Sequence, residues 1–148
     1  MAYAQKSTPA AQRYPTGKIW LAGLLTIAIA VAVNYLIFWI ATGLLGMQST
    51  FAPFVAPMTF GIFTTLFLVI AILVWWLIAR RATMPEQTFK RVALIALIVS
   101  IIPNILMLFV PLPAESGAIT LAAALVLIVM HIASWYVAIT VLPRSSRA

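Results

Sequence analysis

The chain has 148 residues, of which 65% are hydrophobic and only 7% charged. Soluble domains carry about 25% charged residues. There is too little charge here to cover a water-facing surface, so the surrounding medium is expected to be lipid. The absence of cysteine excludes disulfides, thiolate nucleophiles, thiolate metal ligands and thioether-linked haem. The net charge of +7 does not indicate nucleic acid, because the basic residues lie in short segments beside apolar stretches. Orientation in a membrane and attraction to anionic head groups explain that placement better.

Residues 1–17 are polar and contain Pro9, Pro15 and Gly17, which predicts a disordered or surface-lying tail. No charge occurs from Ile19 to Ala79, from Val92 to Ala114, or from Ser116 to Pro143. A spanning helix needs about 20 apolar residues, so the first stretch fits two spans and each of the others one. The expected spans are 19–45, 54–79, 90–110 and 118–142, within a transmembrane domain over 18–143 followed by a basic tail over 144–148. The first apolar run is too long for the core of a signal peptide, about 7–15 residues, and is read as a retained helix. Between the second and third spans, Thr83 and Glu86 have capping-box spacing and Pro85 suits a first helical turn. Pro103 is the one proline deep inside a predicted span. It removes a donor and presses on the carbonyl of Val99, which predicts a kink.

All nine basic residues fall on one side of this topology. Lys6, Arg13 and Lys18 precede the first span. Arg80, Arg81, Lys90 and Arg91 lie between the second and third, and Arg144 and Arg147 follow the fourth. Cytoplasmic loops are enriched in Lys and Arg, so both termini are expected in the cytoplasm, with Trp20, Trp75 and Trp76 at that interface. The fold class expected is an all-α membrane protein, four antiparallel spanning helices in one bundle.

Each span brings polar groups to the middle of the membrane. His131, the single histidine, shares a face with Thr120, Ala124, Leu127, Ser134 and Ala138, while Leu125, Val126, Val129, Ala133 and Val137 suit lipid. Asn34 shares a face with Gly23, Ile27, Ala30 and Ala41. Gly61, Thr64 and Thr65 lie in the second span, and Ser100 and Asn104 share a face of the third with Ala93 and Ala96. The candidate cluster is therefore Asn34, Thr64, Thr65, Ser100, Asn104, His131 and Ser134. Two readings remain open. Such residues hydrogen-bond across packed helices as structural contacts, yet ionisable groups inside membranes are by default functional hypotheses.

Specific chemistries fit less well. Catalysis needs a nucleophile with a base, or paired carboxylates, and the only acids are Glu86 and Glu115, in loops on opposite sides. No enzyme activity is expected. Haem on His131 would need Met107 or a second copy as its other ligand, and metal ligands are equally scarce, so no cofactor or metal is expected. Small multidrug exporters also have four short helices but depend on a carboxylate in the first, where this chain has Asn34.

The order of elements supports a resemblance. Asn34 in the first span is followed by a proline-led second span (APMTFGIFTTL, with Pro57 and Gly61). Next come TFKRVA (Thr88 to Ala93) with Ser100 and Pro103, and then VMH ending at His131. Over about residues 18–142 this resembles a family of small four-helix bacterial membrane proteins classed as a domain of unknown function. The resemblance implies a four-helix membrane bundle and no particular activity. The expected role is a structural or interaction subunit of a membrane assembly, in the cell membrane. Its partners would be the lipid bilayer and other membrane subunits or further copies of itself. The alternative is binding or transport of a small molecule or lipid by the midplane cluster around His131.

Overall fold

The computed structural model describes residues 14–110, 113 and 116–148. The tail before Tyr14, with Lys6 and Arg13, and the acidic residue Glu115 lie outside the described residues. The described chain is helical throughout its regular structure. Helix α1 spans Thr16–Trp39 and runs into a π-helical turn, Ile40–Leu44. A one-turn helix α2, Ala52–Val55, precedes α3, Met58–Arg81. Helix α4 spans Pro85–Leu106 and α5 spans Leu121–Ser145. Among the described residues, the four segments Thr16–Leu44, Met58–Arg81, Pro85–Leu106 and Leu121–Ser145 are long and apolar enough to cross a membrane.

The boundaries differ from the expected spans where local chemistry intervenes. The second span was expected from residue 54, but Ala56 and Pro57 break the helix, so that α2 forms a separate turn and α3 starts at Met58. Helix α4 does begin at Pro85, where a ring at the first turn costs no hydrogen bond. No side chain caps it, and the Thr83–Glu86 capping box does not form. Helix α4 carries on through Pro103 to Leu106, and residues 107–109 are turns rather than helix. Pro143 does not end α5, which continues to Ser145. The N-terminus of α5 is capped by Thr120, whose hydroxyl accepts from the Ala123 amide at 3.1 Å.

Helix α1 packs most extensively on α5 and next on α3, and α4 packs on α5 and α3. The buried stripe of α1 is Ile19, Ala22, Gly23, Thr26, Ala30 and Asn34. Small residues on this stripe let α3 approach. A Cβ built on Gly23 would lie 2.7 Å from Ile72 Cδ1, so a larger residue at this crossing would require the Ile72 side chain to shift. Helix α5 buries a wide arc, because α1, α3 and α4 all touch it. Val137, read from spacing as facing lipid, lies inside that arc and packs with Ala30, Leu68 and Ala138. Helix α4 is the least enclosed, with only Phe89 and Asn104 buried. Ala96, placed by spacing on its inner face, is exposed.

Two apolar clusters fix the ends. At the end where α1 begins and α5 finishes, Ile19, Ala22, Ile72, Trp75, Phe89 and Leu142 pack together. At the other end Phe51, Phe54 and Phe60 pack with Ala123, Leu127 and Met130, and Phe38 and Met107 lie against them. There Gly117, at φ +69°, brings its backbone onto Thr50, and the Ala118 amide donates to Thr50 Oγ1 at 3.1 Å.

Candidate functional site

The polar residues within the four long helices do not form one cluster. Asn34 is 4% exposed and donates from Nδ2 to Thr64 Oγ1 at 2.8 Å and to Ser134 Oγ at 3.0 Å. This three-residue knot ties α1 to α3 and α5. Its geometry follows from the small-residue stripe, which brings the three backbones close enough for short side chains to meet. The amide spends both hydrogens, and its Oδ1 is buried without a partner among the described residues. A buried unsatisfied acceptor costs about 1–3 kcal/mol, so the knot trades some stability for the way it fixes the three helices.

The other polar residues turn back on their own helices. Ser100 Oγ donates to the Leu97 carbonyl at 2.8 Å, and Asn104 Nδ2 donates to the Ser100 carbonyl at 3.0 Å. Asn104 thus supports the backbone beside Pro103. His131 Nδ1 lies 2.6 Å from the Leu127 carbonyl oxygen, one turn earlier in α5. A carbonyl only accepts, so this contact requires a proton on Nδ1. The ring is half-buried and, among the described residues, has no hydrogen bond to another helix. Thr65 belongs to a different place. It lines an open groove of about 510 Å³ between α1 and α3, with Val31, Tyr35, Met58, Gly61 and Leu66. That groove is walled mainly by apolar side chains and contains none of Asn34, Asn104 and His131.

The richest polar network lies at the opposite depth, at the end that carries the basic residues. Glu86 Oε1 accepts from the Tyr14 hydroxyl at 2.8 Å and from Arg147 Nε and Nη2 at 3.0 and 2.6 Å. Burial, reinforced by the hydrogen bond to Glu86, pushes the Tyr14 hydroxyl up to about 12. The same carboxylate raises the Arg147 guanidinium above its ordinary value. Tyr14 stacks edge-on against Trp75 at 5.0 Å, and Trp75 Nε1 donates to Ser146 Oγ at 3.0 Å. Lys18 Nζ donates to the Arg147 carbonyl at 3.1 Å, and Arg80 donates to Thr16 Oγ1 at 2.8 Å while lying over the Trp76 ring. These bonds gather the start of α1, the α3–α4 connection and the end of α5. Arg81, Lys90, Arg91 and Arg144 are exposed at the same end.

Sequence reasoning missed this network. Tyr14 lay in a segment read as tail, Ser146 and Arg147 in another, and Glu86 was read as a local cap. A faint signal existed: among all the basic residues on that side Glu86 is the only acid, and a lone carboxylate amid cations is a natural hub.

The described elements define a small all-helical protein with four segments fit to cross a membrane, pinned by a polar knot in the middle and a carboxylate hub at one end. Residues 14–148 match the model of a family of unknown function, DUF6069, and the chain belongs to that family. No curated protein and no solved structure matches it.

Proposed function

We propose that this protein is a structural or interaction subunit of a membrane assembly. It would form an antiparallel four-helix bundle in the bacterial inner membrane, with both termini in the cytoplasm, and carry neither enzyme activity nor a cofactor. The observation that supports this reading is the fate of the midplane polar groups. Asn34, Thr64 and Ser134 bond to one another, and Ser100, Asn104 and His131 bond within their own helices. Groups arranged in this way spend their hydrogen bonds inside the protein, across helices at Asn34 and within one helix at the other three, rather than wait for a substrate. The orientation rests on the basic end, where Lys18, Arg80, Arg81, Lys90, Arg91 and Arg144 collect.

The test is the size of the particle extracted from native membranes in a mild detergent. An assembly well above the 16.1 kDa chain, retained after purification, supports the proposal. A monomer that gains thermal stability from a small-molecule extract, and loses that gain in His131→Ala, would transfer the weight to ligand binding at the midplane.

A further inference from the structure

Seven basic side chains lie at one end of the described residues, and Glu86 is the one acidic side chain there. That carboxylate is taken by Arg147 and Tyr14. Lys18 and Arg80 are occupied by neutral oxygen acceptors. Among the described residues Arg91 has neither, and Lys90, one turn after Glu86, shares only the field of that carboxylate; both are exposed on α4.

Their position on the helix is what matters. Phe89 is 1% exposed and points inward, against Trp75 at 5.2 Å. Successive residues turn by about 100° on a helix, so Lys90 lies on a flank of α4 and Arg91 faces away from the other helices. One turn further, Leu94 and Ile95 open the exposed apolar surface that continues through Ile98, Val99 and Ile102. Lys90 and Arg91 therefore stand where the apolar flank of α4 meets the head-group layer, on the side of a helix rather than in a loop. The hydrogen bonds of Glu86 go to Tyr14 and Arg147, which leaves both cations open to a negative group from outside the protein. Arginine's planar fork also suits a phosphate.

We propose that Lys90 and Arg91 form a docking site for the phosphate of an anionic glycerophospholipid, whose acyl chains lie along Leu94, Ile95 and Ile98 of α4. This rests on the membrane reading proposed above. A failure of that reading would show separately, as a chain that stays dispersed in water without detergent.

The test is native mass spectrometry of the full chain in micelles holding equal amounts of phosphatidylglycerol and phosphatidylcholine. Wild type is expected to retain phosphatidylglycerol with a preference of roughly thirtyfold, as attraction by two surface cations implies. Lys90→Gln with Arg91→Gln should remove most of that preference, and Arg91→Lys should keep much of it. Equal retention of the two lipids by wild type, or an unchanged preference in the double variant, would overturn the proposal. If the double variant does not fold, wild type decides alone: the preference must fall as sodium chloride is raised, and a salt-insensitive preference overturns the site.

Discussion

Asn34 Nδ2 and Ser134 Oγ lie 3.0 Å apart although 100 residues separate them in the chain. Together with the bond to Thr64, this contact sets α1 against both α3 and α5 at one depth. Interhelical hydrogen bonds in membranes average about 0.6 kcal/mol. Asn34→Ala loses two of them and leaves a gap at a three-helix contact, and together these outweigh the relief of the unpartnered Oδ1. The expected net loss is about 1 kcal/mol, read as a lower midpoint in detergent-to-SDS unfolding. Ser134→Ala should cost roughly half as much.

His131 behaves differently. Its ring bonds to the carbonyl of its own helix, so His131→Ala breaks no tie between helices. The expected loss is below about 0.6 kcal/mol and smaller than that of Asn34→Ala. A larger effect in the same unfolding assay would contradict a purely local role. Imidazole nitrogen shifts should report the proton on Nδ1.

Two glycines with positive φ separate strain from crowding. Gly46, at φ +64°, has open space around its missing side chain, whereas a Cβ on Gly117 would lie 2.0 Å from the Thr50 carbonyl oxygen. Gly46→Ala should cost about 1–2 kcal/mol, the left-handed penalty alone. Gly117→Ala adds a backbone collision and should cost more than about 2 kcal/mol. Thermal midpoints of the two variants, measured side by side, check the order.

The Tyr14 hydroxyl titrates near 12 in the folded chain against an ordinary 10.0. A raised folded value means that its contribution is complete below pH 10 and is lost as pH climbs toward 12. Wild type should therefore lose stability across that window more steeply than Tyr14→Phe, which has no proton to release. Parallel melting curves of the two proteins from pH 9 to 12 test this, and matching slopes would remove Tyr14 from the network.

Charge gaps and proline positions made the four long helices legible, because a spanning helix needs an uninterrupted apolar run. Neighbour relations were harder to read. Val137 looked lipid-facing because lipid and protein interior are equally apolar, so spacing alone cannot tell which valine meets which. The basic-end network was invisible for another reason. Glu86 lies 61 residues from Arg147 and 72 from Tyr14, and no local pattern records such pairings. Asn34, Thr64 and Ser134 stood out singly as polar residues in apolar runs. That these three meet while His131 stays on its own helix depends on how each helix is rotated about its axis, which spacing within one helix does not fix.

The pairing of α1 with α5 has a consequence for how the protein is made. Helix α1 leaves the ribosome well before α5, Leu121–Ser145, with which it makes its most extensive contact. Until that segment enters the bilayer, Asn34 can reach Thr64 but not Ser134, and Trp75 has no Ser146 to bond. While α5 is still to be made, the flank of α1 that it covers stays open. A quality-control protease that senses exposed polar groups in lipid would have its window there, and it would close when α5 arrives.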